Sequence, residues 1–115
     1  MSDLSQLRSA VLLVTNMLAN DDYDGLEVLT HSRRLTANEL ARAAREYGGT
    51  IVALPEPALQ QLDIIEIVGV QPRQWSVNVT LWTVEEGASD LTLELTVKET
   101  AQETFDIEID DLHVL

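Results

Sequence analysis

The residues best suited to chemistry lie at the C-terminal end, where Asp111 precedes His113 by two positions. Successive side chains of a β-strand point to opposite faces, so two residues with this spacing point to the same side. A carboxylate beside an imidazole is an arrangement that general acid–base catalysis uses. The competing interpretation is that Asp110 and Asp111 form an exposed bulge and that His113 is a surface residue. Both interpretations place polar groups together, and only the first predicts catalysis.

Asp24 is the third catalytic candidate. It follows the acidic step Asn20-Asp21-Asp22 at the start of a predicted short helix. Such residues also cap helices, because their side-chain oxygens accept hydrogen bonds from the first free N–H groups.

The sequence offers little to a metal ion or a cofactor. It contains no cysteine and two histidines, at positions 31 and 113, so only carboxylate-rich calcium or magnesium sites remain. The Asp21–Asp24 segment lacks the ligand spacing and the glycine of an EF-hand loop. Glycine-rich phosphate loops, nucleophile elbows and His-Glu-x-x-His motifs are absent from the sequence. We therefore predict no metal site and no cofactor, and binding is favoured over catalysis.

The protein is strongly acidic. Its 115 residues include 20 Asp and Glu against 7 Lys and Arg, which gives a formal net charge of −13. This charge repels phosphate backbones and anionic lipid, so neither nucleic acid nor a membrane surface is an expected partner. No apolar run approaches the roughly 20 residues that span a bilayer, and the N-terminal segment lacks the basic region of a signal peptide. The expectation is a cytoplasmic protein that attracts basic partners.

Three C-terminal segments alternate between apolar and polar residues, as β-strands with one dry and one wet face do. They are residues 75–82, 91–98 and 105–110. After Ile109 the alternation slips, because Leu112 and Val114 become the apolar members, and a bulge at Asp110–Asp111 accounts for the slip. A fourth segment, residues 63–70, is apolar with little alternation. It is interpreted as a strand covered on both sides or paired near the sheet centre.

The N-terminal half carries helical signals. Residues 3–19 have apolar side chains at three- and four-residue steps, and residues 23–29 form a second, short helix. Thr36 and Glu39 have the spacing of a capping box at the start of a third helix, which ends at Gly48-Gly49. The sequence thus predicts one α+β domain over residues 1–115, in which N-terminal helices pack on one face of a curved, four-stranded antiparallel meander sheet.

The wet face of this sheet is the best candidate for binding. The polar sides of its strands carry one tryptophan and four acids: Trp82, Glu94, Asp106, Glu108 and Asp110. Like charges on neighbouring strands repel, a cost that solubility alone does not require. A tryptophan among acids is typical of a surface that binds a basic protein. The alternative is an ordinary solvated face on which a loop or a dimer mate half covers the tryptophan.

The order of these elements resembles the nuclear-transport-factor-2-like cone fold. The resemblance is carried by a long first helix, the Asn20-Asp-Asp-Tyr-Asp-Gly-Leu26 step into a short helix, a third helix and then long strands. Polyketide cyclases, ketosteroid isomerases and limonene-epoxide hydrolases share that fold, so the resemblance implies a pocket between helices and sheet that uses a carboxylate or a His–Asp pair. The residues of this chain that such a pocket could use are Tyr23, Asp24, Asp63, Asp110, Asp111 and His113. Their catalytic sets do not map onto this chain residue by residue, so no role is carried over. Residues 89–95 and 109–115 are also similar to an uncharacterised group of small bacterial domains, which implies no function.

Three functions fit these patterns. The first is a non-catalytic module that neutralises a basic partner through the acidic sheet face, as immunity proteins do against nuclease toxins. The second is a cone-type protein that binds or isomerises a small molecule between helices and sheet, for which a pocket of several hundred cubic ångströms would be needed. The third is a structural module that forms a homodimer through the sheet face.

Overall fold

Helices come first along the chain and pack on one face of the antiparallel sheet that follows. The computed structural model describes residues 3–31, 34–100 and 104–114. The helices are α1 (Asp3–Ala19), α2 (Tyr23–Thr30), α3 (Ala37–Tyr47) and the short α4 (Glu56–Leu59). The strands are β1 (Ile51–Val52), β2 (Asp63–Ile67), β3 (Gln74–Thr83), β4 (Gly87–Glu99) and β5 (Phe105–Val114). The predicted α+β class, with N-terminal helices against an antiparallel sheet, is confirmed.

The predicted start of α3 is confirmed in detail. The Thr36 hydroxyl accepts from the Glu39 N–H at 3.2 Å, and the Glu39 carboxylate accepts from the Thr36 N–H at 3.1 Å. Gly48 ends the helix in the left-handed conformation, with φ of 86°. Since two otherwise free donors are satisfied reciprocally at the first turn, local hydrogen bonds define where this helix begins.

The sheet has five strands, in the order β1-β3-β4-β5, with β2 also paired to β3. The prediction of four strands omitted β1, which pairs with Trp82 and Thr83 at the end of β3. β2 pairs farther along the same edge, from Gln74 to Asn78. The interpretation of β2 as a covered or central strand is wrong, because Ile65 is 59% exposed and β2 pairs with β3 alone. Two short strands share one edge of β3, which leaves the outer side of β2 open.

One stripe of α1 and the apolar face of the sheet form the core. Four apolar side chains of α1 are fully buried: Leu7, Val11, Val14 and Leu18. Opposite them lie the inward residues of the three long strands, which are Trp75, Val77, Val79, Leu81, Leu91, Leu93, Leu95, Val97, Ile107, Ile109 and Leu112. Core side chains therefore occupy the space between helices and sheet. Among the residues described, no helix is both long and apolar enough to cross a membrane.

The predicted bulge is confirmed in β5. Leu95 pairs with Ile109 and Glu94 pairs with Asp111, so Asp110 is one extra residue with no partner of its own in β4. A one-residue insertion moves every later side chain to the opposite face. Leu112 therefore enters the core, while Asp111 and His113 belong to the polar face.

Candidate functional site

The polar face of the sheet contains a pocket of about 630 Å³. Its wall is the segment that connects β1 to β2. This segment contains α4, and both strands pair with the same edge of β3. Its floor is the polar face of β3, β4 and β5. The residues that line it are Pro57, Ala58, Gln61, Leu62, Asp63, Asn78, Thr80, Trp82, Ala88, Thr92, Glu94 and His113. The pocket thus lies on the side of the sheet opposite to the core.

One row of polar side chains crosses four strands, and its first three members form part of the pocket floor. In register, Asp63 of β2 pairs with Asn78 of β3, Asn78 with Glu94 of β4, and Glu94 with Asp111 of β5. Side chains directly opposite each other in antiparallel strands have Cβ atoms about 5 Å apart. Three carboxylates therefore share this row with one amide, and among the described residues none of the three forms a salt bridge with Lys or Arg.

His113 occupies the next row, opposite Thr92. Its Nδ1 lies 3.2 Å from Asp111 Oδ2, so the predicted meeting of these two side chains on one side of the strand is confirmed. The same Nδ1 lies 3.2 Å from Glu94 Oε2, a neighbour that the sequence spacing did not indicate. This nitrogen is enclosed and forms no hydrogen bond within the described part of the chain. The imidazole therefore lies between two carboxylates, but Nδ1 is not aligned for a hydrogen bond with either of them.

Unpaired polar atoms concentrate in this pocket. Five buried side-chain atoms lack a hydrogen-bond partner among the described residues, and three of them line it: Asn78 Oδ1, Thr92 Oγ1 and His113 Nδ1. Thr92 is 7% exposed, so its hydroxyl has little access to solvent outside the pocket. A buried polar group without a partner costs free energy. These three atoms are themselves enclosed, so the acceptors that a ligand in the pocket can reach are the carboxylates of Asp63 and Glu94.

Trp82 is part of the pocket wall. Its ring is partly buried against the core cluster and lines the pocket near Ala88. Gly87, at φ of 72°, closes over the ring, and a Cβ there would lie 3.4 Å from Trp82 Cζ3. Trp82 is therefore half covered by the β3–β4 turn of its own chain, and its free surface faces the pocket.

The other predicted acids lie outside this pocket. Glu108 is only 7% exposed and accepts from Lys98 Nζ at 3.1 Å, so the expectation of a solvated acidic row is wrong at this position. Asp110 accepts from the Thr96 hydroxyl at 2.6 Å and lies 3.3 Å from Arg34 Nε. Asp106 borders a separate depression beside Lys98. A nearby cation therefore compensates the Glu108 and Asp110 carboxylates, in contrast to the carboxylates of the pocket row.

The structure does not bring Asp24 to this site. Asp24 lies in the first turn of α2, and its neighbour Tyr23 lines a different cavity, with Asp21 and Arg45. The Tyr23 hydroxyl donates to Asp21 Oδ1 at 3.3 Å, and burial raises the pKa of Tyr23. The predicted catalytic set is therefore divided, and Asp63 is the member that shares the row with Asp111.

The chain belongs to the family described as a domain of unknown function, DUF7668, whose profile matches residues 15–115. No curated protein matches the chain, and no solved structure matches it. The matched region contains every residue of the pocket. The family description carries no activity, so function has to be argued from the site.

Proposed function

We propose that the protein is a non-catalytic binding module that holds a cationic side chain of a basic partner protein in the polar-face pocket. The observation that supports this most directly is the row of uncompensated carboxylates on the pocket floor. Asp63 and Glu94 line the pocket and form no salt bridge with Lys or Arg in the described part of the chain. The net charge of −13 adds a long-range attraction for a basic protein.

The lining suits an organic cation at the end of an apolar stem. Leu62, Pro57 and the free surface of Trp82 supply apolar contacts on one side. The carboxylates of Asp63 and Glu94 supply acceptors on the other. Lysine and arginine combine an apolar stem with a donor-rich head, and an aromatic ring attracts either cation. This is the recognition that an immunity-type protein would need against a basic partner.

A small molecule is the second candidate. The volume of about 630 Å³ falls in the range of small-molecule pockets. The order of helices and strands is compatible with the nuclear-transport-factor-2-like cone, but a cone-type pocket would lie between the helices and the sheet. In this protein core side chains occupy that space and the pocket is on the opposite face. A neutral apolar compound that binds independently of the carboxylates would favour this second function.

Self-association is the third candidate, and the polar face and its β2 edge are where it would occur. Ile65 is 59% exposed and Val68 is 92% exposed beside the open edge of β2. An open edge strand with exposed apolar residues can pair with a second copy. Sedimentation equilibrium would detect such a homodimer. If the homodimer covers the pocket, it should bind a cationic peptide more weakly than the monomer does, and this separates the third function from the first.

The test of the main proposal uses fluorescently labelled pentapeptides that differ in one central residue. That residue is arginine, lysine, or citrulline, which is the neutral analogue of arginine. The two cationic peptides are expected to bind, and citrulline is not. Asp63→Asn and Glu94→Gln should each weaken binding roughly 2- to 5-fold, the size of a partly exposed ion pair, with the largest effect at low salt. Asp24→Asn is the matched control, because Asp24 is exposed and lies outside the pocket. Equal affinity for arginine and citrulline peptides would contradict the proposal.

A further inference from the structure

Glu94, Asp111 and His113 converge on one point beside the pocket floor. One ligand-type atom from each of the three lies within 4.8 Å of the others. His113 Nδ1 is 3.2 Å from both Glu94 Oε2 and Asp111 Oδ2. Two atoms bonded to one zinc ion at about 2.0–2.2 Å lie about 2.9 Å apart at a right angle and about 3.4 Å apart at a tetrahedral angle. The two distances from His113 Nδ1 therefore fall within the range for ligands that share an ion.

Hydrogen bonding does not account for this arrangement. Nδ1 is enclosed and makes no hydrogen bond among the described residues, although two carboxylate oxygens lie close to it. Like charges placed directly opposite each other in a sheet destabilise it, and Glu94 pairs in register with Asp111. A cation between the three groups would remove the repulsion and use the free nitrogen.

Thr92 is an independent sign of a ligand here. It pairs in register with His113, lines the pocket and is 7% exposed, and its Oγ1 has no partner within the described residues. A hydroxyl in this position can hydrogen-bond to a water molecule or another group bound to an ion. Groups around the direct ligands of a metal commonly play that part.

We propose that Glu94, Asp111 and His113 bind a divalent transition-metal ion, with zinc as the reference ion, at the floor of the polar-face pocket. An imidazole nitrogen favours zinc, iron, nickel or copper over magnesium and calcium, which prefer oxygen ligands alone. Three protein ligands leave a fourth position for water or for a group that enters the pocket. Zinc binding to a chain without cysteine would rest on this mixed set of one imidazole and two carboxylates.

This inference goes beyond the proposed binding of a basic partner, and the two can fail separately. The ion requires His113 and Asp111, whereas the cationic side chain requires Asp63 and Trp82. Both use Glu94, so a bound ion and an arginine peptide should compete. Asp111→Asn should lower zinc affinity by more than about 10-fold and leave arginine-peptide binding within about 2-fold, because Asp111 is not among the residues that line the pocket. Asp63→Asn should weaken arginine-peptide binding and leave zinc affinity unchanged.

The experiment begins with the full chain freed of metal by a chelator and titrated calorimetrically with zinc, with magnesium as the control ion. The wild type should bind one zinc equivalent. His113→Asn, Glu94→Gln and Asp111→Asn should each lower zinc affinity by more than about 10-fold. His31→Asn is the matched control, because it removes the other histidine while asparagine tolerates its left-handed backbone at φ of 59°.

A second measurement avoids variants altogether. Cobalt(II) added to ¹⁵N-labelled wild-type protein should broaden the amide signals of residues 92–94 and 111–113 first. Broadening centred on the acidic Asp21–Asp24 step, zinc affinity that His113→Asn does not change, or equal binding of magnesium and zinc would overturn the inference.

Discussion

Asp111 stands directly opposite Glu94 because β5 carries one extra residue, Asp110, at that point. Without it, continuation of the Leu95–Ile109 pairing would send the side chain of Asp111 to the apolar face. It would also send Leu112 to the polar face. One inserted residue thus completes the carboxylate row of the pocket and supplies the core with Leu112. The same bulge carries His113 to the side of Thr92.

Thr92→Val and Thr96→Val should have opposite effects on stability. The two residues lie on the same face of β4, and valine preserves the shape of threonine. Thr92 Oγ1 has no partner among the residues that the structure describes, so its loss should be neutral or stabilise the protein by up to about 1 kcal/mol. Thr96 Oγ1 donates to Asp110 Oδ2 at 2.6 Å, so its loss should cost about 1–2 kcal/mol. Urea unfolding measures both; a larger loss at Thr92 would mean that its hydroxyl is satisfied in the folded protein.

Charge reversal at Glu108 and at Glu94 should also differ. Glu108 is buried and pairs with Lys98, so Glu108→Lys removes that partner and places two cations together, at a cost of about 2–4 kcal/mol. Glu94 is partly exposed and stands opposite a second carboxylate, so Glu94→Lys should leave stability unchanged or slightly higher. Thermal melts of both variants decide this. If Glu108→Lys melted like the wild type, the buried pair would be absent in solution.

Thr36→Ala should destabilise the protein by about 1 kcal/mol, because it removes the N-cap of α3. Ser9→Ala is a suitable control, since Ser9 is an exposed hydroxyl within α1. The control should stay within about 0.5 kcal/mol of the wild type. Equal unfolding free energies for the two variants would place the start of α3 elsewhere.

The link between Glu85 and Thr50 predicts a dependence on pH. The Thr50 N–H donates to Glu85 Oε1 at 2.8 Å and the Thr50 hydroxyl donates to Oε2 at 2.9 Å. These hydrogen bonds hold the pKa of Glu85 below its usual value of 4.5. Because the pKa of Glu85 is lower in the folded state than in the unfolded state, the ionised carboxylate stabilises the protein at any pH above its unfolded pKa. This stabilisation is lost as the pH falls through the folded pKa. Glu85→Gln should therefore melt below the wild type at pH 7, and the two should converge in acid. A constant difference across that range would rule out the ionised contact.

The sequence alone predicted those structural features whose pattern lies within a single helix or strand. Alternation with period two placed the inward residues Leu93 and Ile107 correctly, because each long strand has one face on the core. The capping box at Thr36 depends on residues three positions apart. The bulge was visible because the slip after Ile109 leaves its mark within a single strand.

The pocket could not be predicted, because it depends on contacts between distant segments. The apolar run at Ile64–Ile67 is compatible with a central or an edge strand. Only the structure shows that β2 shares one edge of β3 with β1. The α4 connection between these two strands packs Leu59 into the core and lines the pocket with Pro57 and Ala58. Knowing the bulge, one could have aligned Asp111 with Glu94, but only after the pairing of β4 and β5 was known.

The most direct test of the proposed function is the response of the two tryptophan indole N–H signals to argininamide in ¹H–¹⁵N NMR spectra. Trp82 faces the pocket, whereas Trp75 is 3% exposed in the core and serves as an internal control. Binding in the pocket predicts a saturable shift of the Trp82 signal. It also predicts a nearly constant Trp75 signal and a weaker response in Asp63→Asn. A Trp82 signal that does not move, or that moves equally with citrullinamide, whose side chain is neutral, would contradict the account.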